Sequence, residues 1–302
     1  MFSPMRIIQF IKMHYLVNKM DNLKERLSEA KKAIDNADYI IIGAGAGFSA
    51  AAGILYSGKR FEDNFQDFID KYAMNDMYSA GFYPFETQEE KWAYWSRHVY
   101  VNRFSVGETE LYKKLLAIVN DKDYFVLTTN VEHQFWINGF EDERIFATQG
   151  DYGLMQCEKG CHDKLYSTEK LVYGVLEKTE DCKIPSELVP VCPVCDGNMD
   201  LNLRKDQYFI EDEKWHEMAD NYRKFLSKID ENKNTVFLEL GVGFNTPTII
   251  RYPFEQMTYN NQNMKLIRLN RDYPDAILEN KSKTISFDEE ISEVFDYCLS
   301  GF

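Results

Sequence analysis

Short apolar runs alternate with amphipathic stretches along this chain, and their spacing predicts its secondary structure. Residues 21–37 carry apolar side chains at helical spacing, which predicts an amphipathic helix. Residues 38–42 then form an apolar, β-branched run, which indicates a buried strand. Similar runs predict further strands at residues 124–128, 145–147, 235–240 and 266–270. The alternation predicts an α/β fold with a Rossmann-like, doubly wound parallel sheet, whose ligand site lies at the carboxyl ends of the strands.

Two segments interrupt this alternation. Residues 60–105 are rich in aromatic residues at helical spacing, which predicts a helical insertion over one end of the sheet. Residues 154–200 hold most of the cysteines and are predicted to form a small zinc-ribbon-like module. We therefore expect the Rossmann-like domain to comprise residues 20–153 and 201–302. Residues 1–19 are basic, with no small-residue cleavage site after them, and we interpret them as a non-essential N-terminal extension.

Composition narrows the classes of function. The net charge of −14 argues against general nucleic-acid binding, which needs Lys and Arg to neutralise phosphates. The aromatic content of 15% excludes a disordered chain. No apolar run reaches the length of about 18 residues that a membrane span needs, so we expect no membrane association. Clustered cysteines in a chain of 302 residues indicate a metal site instead of disulfides, and hence a cytoplasmic location.

Four of the six cysteines carry the metal signal. They form a Cys-x3-Cys pair and a Cys-x2-Cys pair that are separated by 30 residues. Two thiolate pairs on short turns match a tetrahedral structural zinc site, and four thiolates leave no coordination position open for catalysis. The predicted zinc ligands are Cys157, Cys161, Cys192 and Cys195. The alternatives are a cluster of free cysteines or a site that has lost its metal.

Glycine and polar motifs follow the predicted strands. Gly43-Ala44-Gly45-Ala46-Gly47 ends the first strand, where backbone N–H groups can approach a pyrophosphate, although a tightly packed turn explains the same pattern. Thr128-Thr129-Asn130-Val131-Glu132 follows the second strand, where such folds place substrate contacts. An asparagine that caps a helix or turn is the alternative there. His98 and His133 are the histidines nearest to these motifs, and we interpret both as surface or packing residues.

The order of these motifs along the chain resembles that of the sirtuins. The sirtuin Gly-Ala-Gly-x-Ser motif occurs as Gly45-Ala46-Gly47-Phe48-Ser49, and Thr-Gln-Asn-x-Asp occurs as Thr128-Thr129-Asn130-Val131-Glu132. The cysteine pairs, the late glycine motif Gly241-Val242-Gly243 and Asn270 complete the set. Gln149, followed by Gly150, stands where the family has its catalytic histidine.

Three departures from the sirtuin pattern point to one subgroup. Gln149 replaces the histidine, the stretch Tyr56-Ser57-Gly58-Lys59-Arg60-Phe61 replaces a Pro-Asp-Phe-Arg loop, and no Phe-Gly-Glu segment follows Cys195 to pair with an acyl-lysine peptide. Together these features resemble the macrodomain-linked class M sirtuins. That resemblance implies transfer of a single ADP-ribose from NAD to a protein. It also implies a lipoylated glycine-cleavage H-like carrier protein as the acceptor and a macrodomain ADP-ribosyl hydrolase as a functional partner.

The resemblance further implies a role for each matched residue. Asn130 and Gln149 are expected to position the nicotinamide ribose in catalysis, and Glu132 is expected to contact the carboxamide region. Arg60 is expected to steer the pyrophosphate or the incoming acceptor. The other residues expected to bind NAD are Gly45, Ala46, Gly47 and Ser49 at the pyrophosphate, Gly241, Gly243 and Asn270 at the adenosine half, and Tyr56 and Phe61 beside Arg60.

A glutamine at position 149 changes the chemistry that such a site performs. An amide hydrogen-bonds ribose hydroxyls but accepts no proton at neutral pH, so the base-dependent step of deacylation should fail. Departure of nicotinamide through an oxocarbenium-like state needs no such base, and ADP-ribosyl transfer therefore survives the substitution. Two alternatives stay open, an NAD-dependent protein lysine deacylase with an unusual base and a non-catalytic sensor of NAD or ADP-ribose.

Overall fold

Alternating strands and helices build the fold, and the structure, a computed structural model, describes residues 22–300. The predicted N-terminal extension lies outside this range. A first helix, α1, covers residues 22–35. The strands are β1 (Tyr39–Ala44), β2 (Asp123–Thr128), β3 (Ile145–Ala147), β4 (Gly150–Cys157), β5 (Tyr166–Ser167), β6 (Met199–Leu203), β7 (Thr235–Leu240), β8 (Met264–Leu269) and β9 (Thr284–Phe287). The further helices are α2 (Ala46–Ala51), α3 (Lys59–Tyr72), α4 (Met77–Ala80), α5 (Gln88–Val99), α6 (Glu110–Val119), α7 (Gln134–Ile137), α8 (Glu169–Val175), α9 (Glu213–Ser227), α10 (Arg251–Asn260) and α11 (Ile291–Leu299).

Six strands form a parallel sheet in the order β3-β2-β1-β7-β8-β9. The predicted doubly wound sheet is confirmed, since one face packs against α1, α6 and α11 and the other against α9 and α10. The five strands predicted from apolar runs are all present, with ends that differ by a few residues. The sequence pattern misses β9, because only alternate residues of this short edge strand are buried.

The register of the sheet aligns the ends of its strands. One row of paired residues crosses the whole sheet near its carboxyl edge, and it consists of Ala147, Thr128, Ala44, Leu240, Leu269 and Phe287. The predicted site residues Gly45, Asn130, Gln149, Gly241 and Asn270 all lie one or two residues after this row. Parallel pairing therefore brings motifs that are far apart in sequence to one edge of the sheet.

The cysteine-bearing segment lies on a second, antiparallel sheet of three strands in the order β5-β4-β6. Strand β4 ends at Cys157, and β6 pairs with it so that Met199 lies opposite Cys157. The sheet thus extends from Gly150 to Leu203, slightly beyond the 154–200 module predicted from the cysteines. Its small size suits a metal-stapled module, because so few strands bury little apolar surface.

The predicted helical insertion contains α3, α4 and α5 and continues as a π-helix, Tyr100–Phe104. Thr87 begins α5 with a capping box that Glu90 completes. Aromatic side chains of α3 and α5 form a core that also includes apolar residues of the small sheet. The insertion and the small sheet therefore share one hydrophobic cluster. Within residues 22–300, no helix is both long enough and apolar enough to cross a membrane.

Candidate functional site

The glycine turns after β1 and β7 pack directly against each other. The Gly47 N–H donates to the Gly241 carbonyl over 2.9 Å, and the Gly45 N–H donates to the Leu240 carbonyl over 3.0 Å. A Cβ on Gly47 would lie 2.8 Å from Gly241 Cα, and a Cβ on Gly241 would lie 2.3 Å from Gly47 carbonyl carbon. Gly241 also has φ of +58°. These glycines are required by close backbone contact, whichever ligand the turn binds.

A buried polar network links the first turn to the motif after β2. The Asn130 side-chain amide donates to the Gly45 carbonyl (3.0 Å) and to Ser49 Oγ (2.9 Å). Ser49 Oγ in turn donates to Glu132 Oε1 over 2.5 Å. Asn130 has 8% of its surface exposed and Glu132 has 3%. Three residues that the sequence assigned to one site are thus joined by direct hydrogen bonds.

Glu132 is a buried carboxyl group that hydrogen bonds stabilise. Burial raises its pKa, while the bonds from Ser49, the Tyr112 hydroxyl and the Val131 N–H act in the opposite direction. Tyr112, on α6, is fully buried and was not recognised from the sequence, because an aromatic residue at a helical core position carries no functional signal. The carboxyl group is therefore held in one position by three donors.

Gln149 lies two residues after β3, as Asn130 lies two residues after β2. Their strands end as neighbours, because Thr128 pairs with Ala147 and the Thr148 N–H donates to the Thr128 carbonyl over 3.0 Å. The backbone carbonyl of Gln149 accepts from the Arg204 N–H, whereas its half-buried side-chain amide has no hydrogen-bond partner among residues 22–300. The amide is free to bind a ligand at the same sheet edge as Asn130.

Arg60 is held in place by neutral oxygens of the loop before α3 and of the π-helix. Arg60 donates to the carbonyls of Leu55 and Val101, each over 2.8 Å, and to Asn102 Oδ1 over 2.7 Å. Burial lowers the pKa of its guanidinium group, and no carboxylate within residues 22–300 forms an ion pair with it. Arg60 lines a cavity of about 400 Å³ together with Gly53 and Gly107. An ordered cation without a carboxylate partner suits an anionic ligand.

Tyr56 lies in this loop, whereas Phe61 lies in the first turn of α3. Tyr56 is half-buried, and its hydroxyl lies 2.9 Å from that of Tyr152. Phe61 has only 1% of its surface exposed and stacks on Phe65 within the insertion. Phe61 therefore supports the loop from inside, and its position does not favour the direct NAD contact that the sequence predicted.

Asn270 connects the loops that follow β7 and β8. Its side-chain amide donates to the Val242 carbonyl over 2.8 Å, and its Oδ1 accepts from the N–H groups of Asp272 and Tyr273. A Cβ on Gly243 would meet no atom within 4 Å, so space is open beside that glycine. The structure thus places Gly241, Gly243 and Asn270 together, at the opposite end of the site from Gln149.

Asp151 is a half-buried carboxylate that the sequence did not identify. It accepts from Arg103 Nε (3.0 Å) and from the Gly153 N–H (2.6 Å), and it pairs with His133 Nδ1. Burial would raise the pKa of Asp151, but these partners outweigh it and lower the pKa. His133 stacks on Trp136 and has φ of +68°, which is uncommon for a residue other than glycine. The sequence signal that could have identified Asp151 was its position directly after Gln149-Gly150.

The predicted zinc ligands meet at one point. The Sγ atoms of Cys157, Cys161, Cys192 and Cys195 all lie within 4.8 Å of one another. The pair Cys157–Cys195 is separated by 3.8 Å and the pair Cys161–Cys192 by 3.6 Å. A tetrahedral zinc ion with bonds of about 2.3 Å requires sulfur separations of about 3.8 Å. These four cysteines can therefore bind a structural zinc ion, while Cys182 and Cys298 are buried elsewhere.

Solved structures of sirtuins share this architecture. A Sir2 homologue in complex with NAD superposes with a TM-score of 0.53 and 15% identity, covering 90% of this chain and 91% of the homologue. A Sir2 protein bound to a propionylated peptide gives a TM-score of 0.54 and 15% identity, covering 89% and 95% of the two chains. At this level of identity the likeness shows the fold alone, which is the sirtuin fold.

Curated relatives decide the family. A protein ADP-ribosyltransferase of Staphylococcus aureus is 35% identical over 284 residues, which cover 93% of this chain and 89% of the relative. The chain belongs to the family of this ADP-ribosyltransferase. Membership confirms the resemblance to sirtuin-like ADP-ribosyltransferases, whereas the macrodomain association stays a prediction.

A second relative is longer. A probable bifunctional ADP-ribose hydrolase/ADP-ribosyltransferase of Fusarium oxysporum f. sp. cubense is 31% identical over 254 residues, or 80% of this chain. Only 42% of that relative is matched, so the chain spans about two fifths of its length. No protein-family model matches the chain.

Proposed function

We propose that this protein is an NAD-dependent protein mono-ADP-ribosyltransferase, which transfers ADP-ribose to an acceptor protein and releases nicotinamide. One observation carries the proposal: two amide side chains, Asn130 and Gln149, stand at adjacent strand ends beside a buried carboxyl group, where the sirtuin motif has a histidine. The name of the Staphylococcus aureus relative supports the same reaction class.

The residues present fit NAD in part as the sequence predicted. Gly45 and Gly47 use their N–H groups to bind the β7 turn, whereas the Ala46 N–H has no acceptor among residues 22–300. Ala46 can therefore donate to a pyrophosphate oxygen, and we expect Arg60 to supply the positive charge. Both side-chain amide hydrogens of Asn130 are donated, one to the Gly45 carbonyl and one to Ser49 Oγ. Its Oδ1 is therefore the atom that can accept from a ribose hydroxyl.

The mechanism follows from what these groups can and cannot do. NAD, when bound, supplies the ADP-ribosyl group and a nicotinamide leaving group. Asn130 and Gln149 would orient the ribose through hydrogen bonds, and neither removes a proton. Hydrolysis of an acyl-lysine substrate would need such a base, so the deacylase alternative is disfavoured. The acceptor must supply its own nucleophile at C1′.

Acceptor and partner are proposed from the resemblance to class M sirtuins. A lipoylated glycine-cleavage H-like carrier protein is the expected acceptor, and a macrodomain hydrolase is expected to remove the modification. The name of the Fusarium relative, which combines an ADP-ribose hydrolase with an ADP-ribosyltransferase, supports the pairing of the two activities.

Labelled NAD tests the proposal directly. The protein is incubated with NAD labelled in its adenosine half and with a lipoylated carrier protein, and label on the carrier is measured beside nicotinamide release. Transfer that Asn130→Ala abolishes, and that the surface variant Asn36→Ala preserves, supports the proposal. NAD-dependent release of free lysine from acylated peptides would support the deacylase instead, and NAD binding without nicotinamide release would support the sensor.

A further inference from the structure

A hydrogen-bond chain runs from the candidate site into the helical insertion. The Tyr56 and Tyr152 hydroxyls are 2.9 Å apart, and the Tyr152 hydroxyl lies 2.9 Å from His98 Nε2. His98 Nδ1 lies 3.1 Å from the Tyr94 hydroxyl, which donates to the Met77 carbonyl over 2.7 Å. The Met77 N–H donates back to the Tyr56 carbonyl over 2.7 Å, so both ends are tied to one another.

The direction of every hydrogen bond in this chain follows from the bond at its inner end, between the Tyr94 hydroxyl and the Met77 carbonyl. A carbonyl only accepts hydrogen bonds, so the single Tyr94 hydroxyl proton is donated to the Met77 carbonyl. The Tyr94 oxygen must therefore accept from His98 Nδ1–H. Burial, with a smaller contribution from Arg60, lowers the pKa of His98 to about 3, so this imidazole is neutral and its Nε2 carries no proton. Tyr152 must therefore donate to His98, and Tyr56 must donate to Tyr152.

The outer end of the hydrogen-bond chain lies beside the Glu132 network. The Tyr152 N–H donates to the Val131 carbonyl over 2.9 Å, which joins the two loops that carry Glu132 and Gln149. Burial raises the pKa of the Tyr56 and Tyr152 hydroxyls, and the nearby charge of Glu132 raises both further. Tyr152 and His98 are buried, whereas Tyr56 is half-buried. Tyr56 is thus the member that a ligand in the site can reach.

We propose that Tyr56 presents its hydroxyl oxygen, with the proton directed away, to the ribose of bound NAD, and so stabilises positive charge as nicotinamide leaves. The inference rests on the proposed transferase function. Four aligned hydrogen bonds polarise one another, which strengthens the negative end that faces the site. Dipoles preorganised toward developing charge are a large source of catalysis.

No proton moves along the hydrogen-bond chain in this step. The bond between C1′ and the nicotinamide nitrogen breaks with its electron pair on nicotinamide, and a lone pair of an acceptor group that is already deprotonated forms the new bond to C1′. Tyr56 keeps its proton on the bond to Tyr152. A proton relay is excluded, because the Met77 carbonyl at the inner end of the hydrogen-bond chain has no proton to donate. Tyr56 acts on the reacting centre, and Tyr152 and His98 are positioning residues.

Tyrosine and histidine variants separate this role from simple packing. Tyr152→Phe keeps the ring and the Tyr56 hydroxyl but frees the Tyr56 proton to turn outward, so kcat for nicotinamide release should fall about 10- to 100-fold with little change in KM. His98→Leu should behave in the same way. His98→Gln should recover most of the kcat that His98→Leu loses, because its amide oxygen can accept from Tyr152. The matched control is Tyr222→Phe, which removes the hydroxyl of a half-buried tyrosine in α9 whose ring packs on Phe125 of β2.

The outcomes distinguish the inference from the function on which it rests. Absence of nicotinamide release by the wild-type protein would refute the transferase itself. An active wild type with Tyr152→Phe at the same kcat would refute the role of Tyr56 alone. Equal losses of activity in His98→Gln and His98→Leu would also refute the role of Tyr56, provided that both variants keep the wild-type melting temperature. A hydrogen-bond acceptor at position 98 would then be insufficient, and a base that takes up a proton would be required.

Discussion

Replacing Gly241 with alanine should disrupt the contact between the two glycine turns, whereas the same change at Gly243 should not. Gly241 has φ of +58°, and an added Cβ would lie 2.3 Å from both the Gly47 carbonyl carbon and the Phe48 nitrogen. An ordinary contact needs more than about 3.4 Å, so the turns would have to separate by about 1 Å. A Cβ on Gly243 would meet nothing within 4 Å.

The structure allows the cost to be worked out. A left-handed residue other than glycine costs about 1–2 kcal/mol, and overpacking adds about 1–3 kcal/mol. Gly241→Ala should therefore lose about 2–5 kcal/mol, or about 3–8 °C in melting temperature for a protein of this size. Thermal unfolding of both variants without ligand measures this difference.

NAD binding by the same two variants completes the test. Gly243→Ala should keep the wild-type melting temperature and bind NAD more weakly, because the open space beside Gly243 is where the adenosine half is expected to lie. Isothermal titration with NAD measures that affinity. Equal melting temperatures for Gly241→Ala and wild type would refute the close contact, and unchanged NAD affinity in Gly243→Ala would refute its assignment to the site.

Three further predictions concern buried charges and the cysteines. Burial raises the pKa of Glu132, so its ionisation opposes folding. As the pH rises above the unfolded-state pKa of about 4.3, the wild-type melting temperature should fall relative to that of Glu132→Gln, and a constant difference would contradict this. Metal analysis should find about one zinc ion per chain, lost in Cys192→Ser and retained in Cys182→Ser, and a metal-free wild type would exclude the zinc site. Arg103→Ala should cost about 1–3 kcal/mol by chemical denaturation, because it removes a charged partner of the half-buried Asp151, and no loss would show that the other donors suffice.

Much of the architecture was predictable because its signals are local. Apolar runs mark β1, β2 and β7, since a strand buried on both faces consists mostly of apolar residues. Convergence of the motifs also follows from sequence, because parallel strands place their carboxyl ends at one edge. The short edge strand β9 carries no such signal, and only its pairing with β8 reveals it.

Other features depend on partners that are distant in the sequence. Phe61 lies in a family-like stretch, yet it is buried in a hydrophobic cluster that it shares with Tyr152 and Leu201 of the small sheet. The sequence suggested a packing role for His98, but its two nitrogen contacts, to Tyr94 and Tyr152, give the hydrogen-bond chain a direction. Such directions follow from which hydroxyl reaches a carbonyl, and that depends on how α5 and β4 pack together.

The sequence by itself determined the sheet, the order of the motifs, the four cysteines and the absence of a base at Gln149, because each depends on residue type and spacing. Only the tertiary structure decided which turn the Gly47 backbone contacts, which atom of Asn130 is left for a ligand, and where the Tyr56 proton points. The physical reason is that a hydrogen bond or a close contact is a property of two groups. Its second member is known only once the chain has folded.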